Sequence, residues 1–184
     1  YTPDLVKEKL LPRLKAAGVG VSSLGSPIGK VDIKDEAGFQ KQLAQLKTLC
    51  EIAHLLDCRY IRMFSFYMPK DEDPADYRTQ VIDKLRQFIA VAEENDVVLL
   101  HENEKEIYGD TGARCLDLMQ TLGSPVFRSA FDFANFVQCG QDTEACWDML
   151  QPYIEYIHIK DAVHVHNENV LCGTGEGKIQ KLLT

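Results

Sequence analysis

The sequence has no apolar run near the roughly 18 residues that cross a bilayer, and Tyr1-Thr-Pro-Asp4 lacks the charged-then-apolar pattern of an export signal. It also lacks a Lys/Arg cluster. Across its 184 residues, 20 basic against 28 acidic side chains leave a net charge of -8, which repels nucleic acid and anionic membranes. Small-molecule partners are expected, with no nucleic acid and no membrane among them; homo-oligomerisation stays open. Six cysteines are present, but none forms a C-x-x-C pair, and the spacings Cys50 to Cys58 and Cys139 to Cys146 do not match a zinc knuckle. Reduced thiols that pack in the core of a cytoplasmic protein are the expectation. A glycine-rich dinucleotide turn is missing too, since the first strand is followed by Leu24-Gly-Ser-Pro-Ile-Gly29 and not by G-x-G-x-x-G. No linker or low-complexity stretch divides the chain, which reads as one domain over residues 1–184.

What is present is alternation. Five short runs have strand character: Val19-Gly-Val-Ser-Ser23, Tyr60-Ile-Arg-Met-Phe64, Val97-Val-Leu-Leu-His101, Phe127-Arg-Ser-Ala-Phe131 and Ile154-Glu-Tyr-Ile-His-Ile159. Helical periodicity fills the gaps. Asp35 to Leu56 places Phe39, Leu43, Leu46, Cys50, Ala53 and Leu56 on one face, and Asp73-Pro74 opens a helix carrying Tyr77, Val81, Leu85, Phe88 and Ala92. Thr111 to Leu122 stops at Gly123, and Asp142-Thr143 opens a shorter helix through Leu150. Pro3 to Ala17 is helical as well, with Pro12 kinking it or displacing its start. Strands recurring every 27 to 41 residues with helices between them make βαβ units and a parallel sheet.

Polar residues then recur at the C-terminal ends of the strands, where a (β/α)8 barrel builds its site. Arg62 lies in the second strand; His101-Glu-Asn-Glu104, Asp132-Phe-Ala-Asn135 and His158-Ile-Lys-Asp161 follow the next three. Adjacent parallel strands lie about 4.8 Å apart, so Glu102, Asp132 and His158 can converge on one point above the strand ends. Two carboxylates and one imidazole suit a divalent Mn, Mg, Co or Zn ion. Strand alternation turns His101 away from Glu102, toward the helices, as a structural residue. His164-Val-His166 follows the last visible strand and is given no role, and Gly173-Thr-Gly-Glu-Gly-Lys178 is read as a turn at the substrate rim.

The segments Leu99-Leu-His-Glu-Asn-Glu104, Phe131-Asp-Phe-Ala-Asn-Phe136 and Tyr156-Ile-His-Ile-Lys-Asp161, followed by Gly173-Thr-Gly-Glu-Gly177, resemble the sugar phosphate isomerase/epimerase family of xylose isomerase-like TIM barrels. The resemblance runs from about Tyr1 to the C-terminus. It implies metal ligation by Glu102, Asp132 and His158, with Glu102 also a catalytic acid/base group. Lys160, Asn103, Asn135 and Arg62 become candidates for holding sugar hydroxyls or a phosphate. The implied reaction moves hydrogen between adjacent carbons: a carboxylate removes the proton next to a carbonyl, and a metal on the oxygens stabilises the enediolate. Barrels of this kind run to roughly 250 residues, whereas five of eight βα units are visible here. The resemblance therefore implies an incomplete barrel, with strands one and two upstream, strand eight downstream, and the family's second catalytic Glu absent from this segment.

Rival functions follow from the same residues. A polyol dehydratase removes the same kind of proton, and a degenerate barrel could bind carbohydrate without turnover. Hydrolases that cut DNA at abasic sites share the fold by resemblance. They need more histidines than the five here and a basic face that a charge of -8 does not supply.

Overall fold

The computed structural model describes residues 2–184, so Tyr1, where the resemblance begins, lies outside the described residues. Five strands, β1 (Leu24–Gly25), β2 (Tyr60–Met63), β3 (Val98–Glu102), β4 (Phe127–Asp132) and β5 (Ile154–His158), pair in chain order into one parallel sheet. The chain begins with α1 (Pro3–Leu5) and α2 (Leu11–Ala17); further on, α3 (Glu36–Leu55), α4 (Arg78–Glu94) and α5 (Gly112–Leu122) connect successive strands. After β4 come α6 (Phe133–Gln138) and α7 (Thr143–Leu150), and a short antiparallel pair, β6 (Asp161–Val163) and β7 (Glu168–Val170), precedes α8 (Ile179–Leu183). Parallel strands in chain order with helices between them form a segment of (β/α)-barrel wall.

The helix ends follow from their caps. Asp35 accepts from the Gly38 N–H, Thr111 from Arg114, and Asp142 from Glu144 and Ala145, each meeting donors that a first turn leaves free. Gly123 closes α5 in the left-handed region at φ 54°. Pro12 falls in the first turn of α2, where no amide hydrogen is needed, and a π-helical stretch from Val6 to Leu10 absorbs the change of register.

One strand expectation is corrected. Val19–Ser23 is not paired; β1 forms at Leu24–Gly25 instead. Leu24 stands opposite Ile61, and β2 begins only one residue earlier, so most of the preceding run has no strand beside it. Val19 gives its amide hydrogen to Leu14, ending α2.

The sheet's convex face carries Ile61, Met63, Leu99, Phe127 and Phe131 into the main core, against Phe39, Leu46, Val81, Leu85 and Phe88 from α3 and α4. The concave face is lined by a smaller apolar cluster of Val98, Leu100 and Ala130 with Tyr60 and Tyr156 packed against it. In a flat sheet, β2 and β5 would be roughly 14 Å apart. Yet the Tyr60 hydroxyl donates to Glu155 at 2.7 Å, and the Tyr60 and Tyr156 rings lie 6.2 Å apart. The sheet is therefore curled, as a segment of barrel wall must be.

A bulge sets the face that β5 presents. Ser129 pairs with Ile154 but Ala130 pairs with Tyr156, leaving Glu155 as the extra residue. Asp132 thus stands opposite His158 instead of Ile157. Without the extra residue, alternation from Ile154 would turn His158 toward the helices.

Candidate metal-binding active site

Each principal side chain sits at the C-terminal end of a concave-facing position: Arg62 on β2, Glu102 on β3, Asp132 on β4 and His158 on β5. His158 Nδ1 lies 2.8 Å from Glu102 Oε1 and 3.9 Å from Asp132 Oδ2. One donor atom from each of Glu102, Asp132 and His158 can be chosen so that all lie within 4.8 Å of one another. Arg62 Nη1 reaches Glu102 Oε2 at 3.1 Å, and Lys160 Nζ reaches Asp132 Oδ2 at 3.3 Å. These five residues line one cavity of about 630 Å³, together with Ser23, Gly25 and Tyr156.

Five of the seven predicted site residues therefore meet. The other two, Asn103 and Asn135, are buried behind the cavity wall. Asn103 accepts from the Asp132 amide at 2.9 Å and donates to its carbonyl at 3.0 Å, binding the end of β3 to the end of β4. Asn135 donates to the Asn103 carbonyl at 2.8 Å and accepts from Lys160 Nζ at 2.7 Å. Both amides thus act on the backbone and on Lys160, where they hold the cavity's rim. Asn103→Ala removes both bonds to Asp132 and with them the buried side-chain tie between the ends of β3 and β4. A loss of about 2 kcal/mol in unfolding free energy is expected, with weaker Mn²⁺ uptake, read by urea denaturation and metal titration.

Asp132 divides its carboxylate: Oδ1 accepts from the Asn135 amide at 2.8 Å and caps α6, while Oδ2 faces Lys160 and His158. Capping and site-facing roles coexist in one residue.

The electrostatics are those of a buried anionic pair in need of cations. Burial works against the charge on Glu102. The hydrogen bond from His158, together with the charges of His158, Arg62 and Lys160, outweighs it and holds the carboxyl below its ordinary range. At Asp132 burial wins, and the carboxyl titrates above its ordinary range despite the Asn135 amide and Lys160. The Glu102 hydrogen bond raises His158 above 6.5. Two carboxylates and an imidazole, preassembled and mostly removed from water, fit a borderline-hard divalent cation.

His101 faces the convex side, as alternation requires. It is fully buried beside Phe127, with Nε2 2.9 Å from Ser65 Oγ, and burial lowers it to about 4, so it is neutral. His164 and His166 are exposed, the former with Nδ1 3.0 Å from the Val137 carbonyl. All six cysteines are free thiols. No helix among the described residues is long and apolar enough to cross a membrane.

Sequence reasoning missed Asp161. Its buried carboxylate accepts amide hydrogens from Ala162, Gly173, Gly175 and Gly177, each at 2.9 Å. The visible signal was the alternate-residue spacing of three glycines after that aspartate.

A sequence model described as xylose isomerase-like TIM barrel matches residues 2–182. A 3-dehydroshikimate dehydratase of Bacillus anthracis is 22% identical over 144 residues, 76% of this chain and 51% of that protein. A 2-epi-5-epi-valiolone 7-phosphate 2-epimerase of Actinoplanes is 32% identical over 107 residues, 58% of this chain and 38% of that protein. The chain thus spans about half or less of the length of these curated relatives. Among solved structures, a xylose isomerase-like TIM barrel protein from Mycobacterium smegmatis in complex with magnesium superposes with a TM-score of 0.77 at 16% identity. It covers 98% of this chain and 66% of its own, and at that identity it speaks for the fold alone. With the family's sequence model matched over nearly its whole length, the chain belongs to the xylose isomerase-like TIM barrels.

Proposed function

We propose that this chain carries the metal centre of a divalent-metal-dependent sugar isomerase or epimerase, in which a proton next to a carbonyl is removed and returned through an enediolate. Residues 1–184 form a single partial (β/α)-barrel domain in this reading, and six free thiols accord with a reducing cytoplasm. The observation that carries it is the convergence of Glu102, Asp132 and His158 at the mouth of a parallel sheet, flanked by Arg62 and Lys160. Glu102, Asp132 and His158 would hold the cation, Mn, Mg, Co or Zn. When bound, such an ion polarises a carbonyl as a Lewis acid. Glu102 takes the proton on a carboxylate oxygen, and its lowered pKa keeps it ionised for that task at neutral pH. Arg62 steadies the developing charge beside Glu102, and Lys160, fixed by Asn135, orients the substrate oxygens over Asp132.

A dehydratase is the second reading, favoured by the 22% identity to a 3-dehydroshikimate dehydratase. Incubation with a panel of keto sugars and cyclic ketopolyols in deuterium oxide, followed by NMR, tests both. Deuterium on the carbon next to the carbonyl, with the carbon skeleton's hydroxyls intact, is expected. Loss of water would instead establish the dehydratase, and tight binding with no exchange would overturn proton transfer altogether.

Because Glu102 raises the His158 pKa, a cation must displace a proton from the imidazole. Mn²⁺ affinity is therefore expected to be weaker at about pH 6 than at about pH 8, by electron paramagnetic resonance titration. A pH-independent affinity would show that His158 is not a ligand.

A further inference from the structure

β3 delivers Glu102 to the site, yet its pairing with β2 stops one residue short of it. Met63 stands opposite His101 in the last pair of that ladder, whereas on the other side Glu102 still stands opposite Ala130. Asn103 continues the hold on the β4 side through its two bonds to the Asp132 backbone. On the β2 side the hold passes to side chains of the convex face. His101 Nε2 lies 2.9 Å from Ser65 Oγ, two residues past the end of β2, and the same oxygen accepts the Gly109 amide hydrogen at 2.8 Å. All three residues are buried. Because Ser65 Oγ accepts from Gly109, its hydroxyl hydrogen is left for Nε2, and His101 Nδ1 has no partner among the described residues. One ring nitrogen makes the tie.

Two backbone features converge on this contact. Gly109 admits no side chain, since a Cβ there would stand 2.5 Å from His101 Cε1 and 3.0 Å from Ser65 Oγ. Phe66, directly after Ser65, is fully buried in the left-handed region at φ 68°, a conformation that strains a bulky residue. The surroundings hold it there: its amide donates to the Gly29 carbonyl at 2.8 Å, and the Tyr108 amide donates to its carbonyl at 3.1 Å. Fixing a side chain on the convex face fixes the peptide that follows it, and in a strand that peptide sets the direction of the next side chain on the concave face. We propose that His101, held by Ser65 and Gly109, is a positioning residue for Glu102, keeping its carboxylate where it meets His158 and the cation, as outer partners orient metal ligands elsewhere. This rests on the metal-centre reading above and adds to it a contact on the opposite face of the sheet.

The test compares Mn²⁺ affinity, by paramagnetic resonance titration, with unfolding in urea across a set of variants. His101→Leu and Ser65→Ala are each expected to weaken Mn²⁺ binding by the folded chain about tenfold. Gly109→Ala should do the same by pressing on the imidazole from the far side. His101→Gln sets an amide about where Nε2 stands and should bring affinity back to within about threefold of native, whereas His101→Asn, whose amide matches Nδ1, should not. Val81→Ala, in the core on α4, lowers stability without touching the tie and should leave Mn²⁺ affinity unchanged, which separates positioning from general loosening. Circular dichroism confirms the fold of each variant, and Ser65→Ala carries the test if His101→Leu unfolds. Native Mn²⁺ affinity in folded Ser65→Ala, equal losses in the Gln and Asn variants, or an affinity that falls with stability in Val81→Ala as well, overturns the inference and leaves the metal-centre reading standing. A native chain that takes up no Mn²⁺ overturns both.

Discussion

Glu102→Gln should weaken Mn²⁺ binding by more than about 100-fold, since losing even an outer-shell partner of a metal ligand costs 10–100-fold, and it should stop exchange of substrate hydrogen with solvent. The substitution keeps the size and planarity of the side chain while removing its charge. Glutamine still offers one carbonyl oxygen to His158 Nδ1, which lies 2.8 Å from the carboxylate in the native chain. It no longer balances Arg62, and it has no basic oxygen to accept a proton. General-base removal alone costs roughly 10²–10⁴-fold in rate. Stability should change far less, by about 1 kcal/mol: Arg62 is a quarter exposed and solvent screens it, and His158 can shed its proton once the anion is gone. Paramagnetic resonance titration and urea denaturation separate the two effects. Native Mn²⁺ affinity in a folded Glu102→Gln chain would remove Glu102 from the metal site, and with it the basis of the proposed chemistry.

The same residue shows how far the sequence could be followed. Its placement was legible because an apolar run, Val97 to Leu100, ends in polar residues, and alternation then separates His101 from Glu102. The helices were legible for the same local reason: Asp35, Thr111, Asp142 and Gly123 are caps that act within a few residues of themselves. What could not be read depended on distant partners. The run from Val19 to Ser23 has strand composition, but a strand needs a neighbour, and β2 starts too late to give it one. The bulge at Glu155 adds one residue to β5 and leaves no mark in composition, yet it decides which way His158 points. Asn103 follows Glu102 directly and Asn135 comes three residues after Asp132, where substrate contacts would be expected. Only the tertiary structure shows that their amides are engaged by the Asp132 backbone, the Asn103 carbonyl and Lys160.

Asp161→Ala is expected to cost about 3–4 kcal/mol of unfolding free energy, because hydrogen bonds to a charged group contribute about 1.5–3 kcal/mol each and four that share one carboxylate do not add fully. Residues 173–177 are also held by the Glu176 amide on the Ala162 carbonyl and by Thr174 on the Leu171 carbonyl, but their glycines are required by the approach to the carboxylate itself. A Cβ on Gly175 would lie 2.5 Å from Asp161 Oδ1, and one on Gly177 2.8 Å from the same atom. Asp161→Asn should be almost as damaging, since its amide nitrogen would confront backbone N–H groups and its single oxygen cannot serve four donors. The pH dependence has a definite sign. Burial opposes the charge, but the amides of Gly175, Gly177, Gly173 and Ala162 outweigh it and hold the carboxyl below its ordinary value. The stabilisation is then fully present above the unfolded-state value of about 3.9 and is lost as pH falls through the lower folded-state value. Urea midpoints of the native chain and Asp161→Ala should therefore differ widely at neutral pH and converge in acid. Lys160 precedes Asp161 directly, so release of the staple should also loosen the Lys160 contacts with Asp132 and Asn135. Equal midpoints at neutral pH would mean that the glycine turn holds its shape without the carboxylate.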